Sequence, residues 1–251
     1  MHLIQPATRC SKGRHTQKQL KHNILGVVES SAYPQKIFLA IFMLMFFMNI
    51  SQGKENEGQY TITADHMEST KKNELTVFTG NVKLVKDKVT IKADRVEDHK
   101  NDGYVLAVGK VHGMDNTSPE EEVEIFCEKA KYNRDISSGV LTGNPRVVRT
   151  GLVDKNKGVE IKGDVIEILE KGEKSIVRNN VQVKQNDMLA VSDLLDYDSN
   201  LKKIILTGGT PKVYQKSEEY EAEYSAETIT MFSDEQRVIF EKGFNAIIYS
   251  K

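Results

Sequence analysis

The sequence is poor in cysteine. Its two cysteines are Cys10 and Cys127, so a small scaffold stapled by several disulfides is excluded. Cys127 lies in the alternating stretch 123–128 with no histidine near it in the sequence. This pattern predicts a packed strand residue and not a reactive nucleophile.

Long hydrophobic runs are also scarce, which excludes a polytopic membrane protein. The one long run covers residues 37–50 and is unbroken from Ile37 to Met48. It is shorter than the ~20 residues that a membrane helix needs, but it follows a basic segment, as the apolar part of a secretory signal does. We predict that residues 1–53 are a basic leader, either a signal peptide or an N-terminal anchor. A buried core helix is the remaining alternative.

Neither sign of charge dominates the chain as a whole. It has 35 Lys and Arg against 36 Asp and Glu, a formal net charge of −1. Residues 1–53 carry six basic and one acidic residue (+5), which leaves 29 basic against 35 acidic residues (−6) in residues 54–251. Signal and anchor would both place this body outside the cytoplasm. Its mildly acidic balance argues against a nucleic-acid partner.

Spacings typical of catalytic or metal sites are missing from the body. Its histidines, His66, His99 and His112, are isolated in the sequence. We therefore expect no enzyme, no catalytic or metal site and no cofactor. Recurrent aspartates lack the glycine-rich context of calcium-binding repeats, which favours backbone hydrogen bonding near a bulge.

The body does contain a repeat of strand pairs. Each of six units begins with an apolar residue, a small residue and usually an acid, and continues to a β-rich run broken by Gly or Asn. In four units the acid and the Gly or Asn are 15 positions apart: Asp65 and Gly80, Asp94 and Gly109, Asp164 and Asn179, and Asp193 and Gly208.

Polar clusters between these positions predict hairpin turns, so each unit is two strands. The body is then an all-β, elongated and open antiparallel β-jellyroll or β-roll of about 12–13 or more strands; a parallel β-solenoid is an alternative that the pattern leaves open. The recurrent glycine predicts a bulge or corner at which the sheet bends.

Alternation predicts which side chains face the interior. Within residues 75–85, Phe78, Val82 and Leu84 share one face with Gly80, and we interpret this face as the inner one. The later units supply Leu106, Val108, Val111, Leu141, Val147, Val181, Val183, Leu206, Val213, Phe240 and Phe244. The opposite strands add Ile62, Ile91, Ile125, Ile161 and Val191.

Three segments carry a family resemblance. Residues 60–68, 76–85 and 89–96 read YTITADHME, TVFTGNVKLV and VTIKADRV. Their order resembles the OstA/LptA family of lipopolysaccharide export proteins, in which a strand with a small residue and Asp leads to an F-T-G-N-V strand and then to an I-K-A-D-x-V strand. The resemblance continues as a degenerate repeat to about residue 250 and covers essentially all of residues 54–251.

The resemblance implies a periplasmic β-jellyroll that shields the acyl chains of lipid A, the lipid part of lipopolysaccharide, in a hydrophobic groove. It implies inner-membrane LptC-like and outer-membrane LptD-like partners, and head-to-tail self-association through edge strands. On this sequence the groove would comprise Ile62, Phe78, Val82, Leu84, Ile91, Leu106, Val108, Ile125, Leu141, Ile161, Val181 and Leu206. An LptC-like anchored export component and a structural or adhesive β-repeat protein are the alternatives.

Overall fold

The computed structural model describes residues 60–70, 74–119, 121–152, 158–198, 200–232 and 237–250. The predicted leader, residues 1–53 with the apolar run 37–50, lies outside these residues. No helix within the described ranges is long and apolar enough to cross a membrane.

The described chain consists of β-strands joined by turns and one short 3-10 segment, Glu170–Gly172. The strands are β1 (Tyr60–Thr63), β2 (His66–Thr70), β3 (Leu75–Lys86), β4 (Val89–His99), β5 (Tyr104–Asp115), β6 (Glu121–Asn133), β7 (Ser138–Thr142), β8 (Arg146–Gly151), β9 (Val159–Lys162), β10 (Val165–Leu169), β11 (Lys174–Gln185), β12 (Met188–Asp198), β13 (Lys203–Thr207), β14 (Lys212–Lys216), β15 (Tyr220–Ser225), β16 (Thr228–Phe232), β17 (Arg237–Glu241) and β18 (Asn245–Ser250).

These eighteen strands form two layers, and in each layer twelve strands lie side by side. We call each of these twelve positions a tier. All the strand pairings are antiparallel. Layer A contains β2, β7, β10, β13, β16 and β17, and layer B contains β1, β8, β9, β14, β15 and β18. The long strands β3, β4, β5, β6, β11 and β12 pass through both layers. The predicted all-β jellyroll is confirmed. The strand count exceeds twelve because six tiers are interrupted where the chain bends.

The bend between the layers, which we call the corner, explains the 15-residue spacing. At Gly80, Gly109 and Gly208 the backbone has a φ of +76°, +79° and +75°, in the left-handed region that glycine enters readily. Each glycine lies against the acid 15 residues earlier: a Cβ on Gly109 would lie 2.5 Å from an oxygen of Asp94. The spacing therefore records a contact between neighbouring tiers.

Hydrogen bonds at the corner join the acidic residues to the residues about 15 positions later. The backbone N–H of Asp65 donates to the carbonyl of Gly80 at 2.9 Å, and that of Asp164 donates to the carbonyl of Asn179 at 3.0 Å. The Asn81 amide donates to the Asp65 carboxylate at 2.8 Å. The main-chain bonds thus satisfy backbone groups that the bend takes out of the strand ladder, and the Asp65 carboxylate bonds a side-chain amide.

Two predicted inward residues, Leu106 and Val108, face outward. Leu106 pairs across the strands with Glu97 and Lys131, whereas its neighbours Val105 and Ala107 are buried. The run Leu106-Ala107-Val108 is apolar on both faces, so alternation did not identify the inner one. Alignment on the corner glycine does, because Ala107 precedes Gly109 as Phe78 precedes Gly80.

Two further positions also differ from the prediction. Val191 is only partly buried, whereas the residues on either side of it, Ala190 and Ser192, are buried. Phe244 packs beside Phe240, with ring centroids 5.3 Å apart, but remains 56% exposed at the last tier. The inner face therefore ends in an open apolar edge.

Candidate functional site

The candidate site is the interior between the layers, and each layer contributes one continuous row of side chains to it. Cross-strand pairing joins one residue of every tier. The row of layer A is Met67, Phe78, Val96, Ala107, Ala130, Leu141, Ile166, Val177, Leu195, Leu206, Ile229 and Phe240. The row of layer B is Ile62, Leu84, Ile91, Gly113, Ile125, Val147, Ile161, Val183, Ala190, Val213, Tyr224 and Ala246.

Ten of the twelve groove residues predicted from the sequence point into this interior. Eight lie in the two rows; Val82 and Val181 lie beside the corner and are buried. Leu106 and Val108 are the two on the outer surface. The structure thus brings together side chains that are up to 144 positions apart in the sequence, from Ile62 to Leu206.

The two rows are in contact over most of the length. Residues of both layers, from Val82 to Ile229, form one buried apolar cluster. At the N-terminal end, however, Ile62, Leu84, Val89 and Ile91 form a separate cluster. The layers therefore part at the first tiers, where Phe78 is only partly buried.

Aromatic side chains lie at the other end of the interior. The rings of Tyr224 in layer B and Phe240 in layer A lie 5.8 Å apart, so they bridge the layers. Burial raises the pKa of the Tyr224 phenol, in keeping with its partly enclosed position. The two ends of the interior are thus different: the layers separate at the first tiers and are bridged by rings at the last.

The rows nearest the hairpin turns are more polar than the sequence indicated. We call this side of the interior the turn side. On it the buried Asp98 pairs with the guanidinium of Arg134, and Tyr132, Arg149, Ser175 and Tyr197 are buried as well. Sequence reasoning missed all of them. Asp98 could be identified only from the shift by one residue in the buried/exposed alternation of β4. Ile91 and Ala93 are buried before the corner, and Val96 and Asp98 are buried after it.

The only cysteine of the described residues does not supply a reactive group. Cys127 is free and buried, and burial raises the pKa of its thiol to about 11, so it stays protonated at neutral pH. Within the described part of the chain, no group of three or more His, Cys, Asp or Glu side chains is placed to hold a metal ion. The interior offers burial of apolar groups as its main chemistry.

A surface depression of about 580 Å³ lies outside this interior. Its lining includes the outer-face residues Lys184, Leu189 and Tyr214 of layer B, together with Tyr249 of the terminal strand. Charged side chains such as Glu160 and Glu223 complete the lining. Its charged lining side chains distinguish it from the two apolar rows.

A family model for LptA and LptD N-terminal-domain lipopolysaccharide transport proteins matches residues 61–237, from the first tier to the last. The chain belongs to this family. The family match and the β-jellyroll agree with the resemblance seen in the three sequence segments. Membership of the LptA/LptD family makes the chain a lipopolysaccharide transport protein, a non-enzymatic class.

Two other comparisons add less. A solved structure of LptH, described as the LptA-homologous periplasmic component of the lipopolysaccharide transport device of Pseudomonas aeruginosa, is similar over 76% of this chain and 96% of that one, with 14% identity and a TM-score of 0.23. No curated protein sequence matched the chain. The assignment to the LptA/LptD family therefore rests on the family model.

The two ends of the stack are strand edges of different composition. In the described chain, β1 and β2 pair only with β3, while β17 and β18 pair only with β16 and β15. The last tier exposes Val238, Ile247, Ile248 and Tyr249. Exposed large apolar residues on the first tier are limited to Met67 among the residues described.

Proposed function

We propose that this member of the LptA/LptD family is a periplasmic carrier that shields the lipid A acyl chains of lipopolysaccharide between its two layers. The observation that carries the proposal is the pair of apolar rows, which continue through all twelve tiers. No bond is made or broken; the carrier sequesters the lipid and passes it along. Residues 1–53 would deliver the body to the periplasm as a signal peptide or hold it at the inner membrane as an anchor.

Burial of the acyl chains would supply the free energy of binding. Each Å² of apolar surface removed from water contributes ~25 cal/mol. Because the residues of both rows from Ile125 onward already belong to one packed cluster, acyl chains would have to separate the layers there. The N-terminal tiers, where Ile62, Leu84 and Ile91 pack apart from the main cluster, are the place where the least packing is lost.

The first prediction concerns which side chains meet the lipid. A photo-crosslinking amino acid at Phe78 or Phe240, both partly buried against the interior, is expected to label lipopolysaccharide in cells. The matched controls are Leu106, which is apolar but faces outward, and the exposed Lys83. Immunoblotting for lipopolysaccharide adducts measures the labelling at each position.

The contrast between the two faces decides the outcome. Labelling at positions 78 and 240 with little at 106 and 83 supports the carrier. Equal labelling on both faces, or labelling at 106 and 83 alone, would contradict it. A chain without any adduct, but folded and abundant in the periplasm, would instead favour a structural or adhesive β-repeat protein.

We further propose that the edge tiers dock the partners: an LptC-like protein, an LptD-like protein or a second copy of the chain, arranged head to tail. Strands at the edge of a sheet present unpaired backbone donors and acceptors for β-augmentation. The exposed apolar side chains of the last tier would be covered in such a contact.

The second prediction tests this edge. Ile248→Lys places a charge on β18, where Ile248 is 57% exposed, and is expected to weaken association with the docking partner by about tenfold or more, as loss of a central contact does. Leu201→Lys is the control, because Leu201 is 63% exposed in a turn away from the edge. Sedimentation velocity and co-purification of the export components measure the effect. Equal behaviour of the two variants would rule out this edge as the docking site.

A further inference from the structure

The outer-face depression of layer B is the feature that the acyl-chain carrier does not explain. Its lining runs from β9 through β11, β12, β14 and β15 to β18, which are six neighbouring strands of that layer. At ~4.8 Å between neighbouring strands, the depression is about 24 Å long. A lipopolysaccharide has a saccharide as well as acyl chains, and the apolar rows of the interior suit only the acyl chains.

The charges that line the depression balance one another. The lining contains three lysines and four acidic residues. Three ion pairs involve these residues: Lys162 with Glu160 at 3.0 Å, Lys216 with Glu221 at 3.1 Å, and Glu223 with the neighbouring Lys212 at 2.7 Å. The last lysine and the last acid of the lining, Lys184 and Asp187, have opposite signs. The lining therefore does not favour a ligand of high charge.

Three amide side chains of the lining have no such partner. Gln182, Asn186 and Gln215 make no side-chain hydrogen bond to another residue of the described ranges. An amide group carries two N–H donors and one carbonyl acceptor. A sugar hydroxyl both donates and accepts, so it satisfies either half of an amide. The unpaired groups of the depression thus match a neutral ligand that is rich in hydroxyls.

Two tyrosine rings add an apolar surface to the depression. Tyr214 is 36% exposed and Tyr249 is 59% exposed. Tyr214 lies between Leu189 and Glu223 in a row of cross-strand neighbours on the outer face. An aromatic face carries partial negative charge and attracts the C–H groups of a sugar ring. Exposed rings next to unpaired amides therefore suit a saccharide and not an acyl chain.

The depression adjoins the interior at the turn side. Met188 lines the depression and also packs against the main buried cluster. It follows the turn at 186–187, which joins β11 to β12 within layer B. The described strands cross between the layers at the corner, and no described segment joins the layers on the turn side. A ligand held between the layers can thus extend past Met188 onto the outer face.

We propose that this depression binds the oligosaccharide of a lipopolysaccharide whose acyl chains lie between the layers. The lipid would pass through the later tiers with its sugars bent over the turn-side edge of layer B and resting on Tyr214. The assignment rests on the proposed carrier function and adds a contact for the polar part of the same ligand. Because the lining is balanced in charge, the contact is with neutral sugars and not with phosphate groups.

Photo-crosslinking on the full chain tests this placement with two ligands: lipopolysaccharide that carries its oligosaccharide, and lipid A, which lacks it. A crosslinking amino acid at Phe240, which is partly buried against the interior, is expected to label both ligands. At Tyr214 it is expected to label only the lipopolysaccharide. Lys83, exposed on the outer face of layer B at the second tier, is the control and should label neither ligand.

The two labelling positions separate the two proposals. Labelling of both ligands at 240 with none at 214 would overturn the saccharide site and leave the carrier intact. Equal labelling of lipid A and lipopolysaccharide at 214, or labelling at 83 as strong as at 214, would also overturn it. A folded chain that labels neither ligand at 240 would contradict the carrier itself.

Substitution of Tyr214 tests the ring contact. Tyr214→Ala is expected to weaken binding of the lipopolysaccharide by about fivefold or more and to leave the binding of lipid A unchanged. Tyr214→Phe, which keeps the ring, should bind like the unmodified chain. Tyr104→Ala is the control, because Tyr104 lies on the outer face of layer A, stacked on His99. Equal loss of both ligands in Tyr214→Ala, or no loss of either, would overturn the saccharide site.

Competition identifies the part of the ligand that lies in the depression. Free oligosaccharide cleaved from the lipid, at millimolar concentration, is expected to reduce labelling at position 214 and to leave labelling at position 240 unchanged. Inorganic phosphate at the same concentration should change neither. Loss of the label at 214 with phosphate but not with the oligosaccharide would show an anion site around Lys184 and contradict the saccharide.

Discussion

Gly109→Ala is expected to lower the free energy of unfolding by about 3 kcal/mol or more. Gly109 has a φ of +79°, where an L-residue costs about 1–2 kcal/mol. The added Cβ would also lie 2.5 Å from an Asp94 carboxylate oxygen and 2.8 Å from its Cβ. The second atom cannot swing away, so the corner between neighbouring tiers has to open. Urea denaturation followed by circular dichroism measures the loss.

A glycine of similar backbone conformation provides the matched control. Gly243 has a φ of +63°, but a Cβ there would meet nothing within 4 Å. Gly243→Ala should therefore show only the backbone cost, and the difference between the two variants isolates the contact with the acid. Asp94→Gly is expected to recover part of the stability lost in Gly109→Ala. Equal losses in Gly109→Ala and Gly243→Ala would show that the 15-residue spacing does not record packing.

The corner also shows why so much of the fold was predictable from the sequence. A tier repeats the same bend, the bend requires a left-handed residue, and the preceding tier must place a short acid against it. Asp65 with Gly80 and Asp193 with Gly208 meet all three conditions. The contact between acid and glycine thus determines the spacing of the repeat, and the number of repeats determines the number of tiers. The division into eighteen strands is not encoded this simply, because it depends on whether a bend interrupts the ladder.

The same bend limits what alternation can predict about the interior. In β4 the buried residues are Val89, Ile91 and Ala93 before the corner and Val96 and Asp98 after it. A period of two that starts at Ile91 therefore places Asp98 on the outer surface. The polar turn side remained unrecognised for this reason. Alternation also assigns Leu106 and Val108 to the wrong face, because their strand has apolar residues on both faces.

In the candidate site, too, the apolar residues are predictable from the sequence and the buried polar residues are not. The apolar rows follow from residues such as Ile125, Leu141 and Leu206, which stand at the same distance from the acid or glycine of the corner as their counterparts in the other units. Asp98 and Ser175 are polar residues that become buried through packing against other tiers, and no local pattern contains that information. Sequence reasoning thus identifies what the interior is made of, and the structure adds where its charges lie.

Asp98→Ala is expected to destabilise the fold by about 3–5 kcal/mol, the cost of leaving a buried charge without its partner. Asp98 and the Arg134 guanidinium are paired with 13% and 15% of their side chains exposed, and the Nε of Arg134 has no hydrogen-bond partner in the described residues. Arg134→Met alone should cost a similar amount. The double variant Asp98→Leu/Arg134→Met should recover most of the loss, because it removes both charges from the interior.

The control for this pair lies on the same strand. Arg95 faces outward with 48% of its side chain exposed and bonds Glu97 at 2.7 Å, so Arg95→Ala is expected to cost less than about 1 kcal/mol. A double-mutant cycle on Asp98 and Arg134, measured by urea denaturation, gives the coupling between them. If that coupling is no larger than the effect of Arg95→Ala, water reaches the turn side freely.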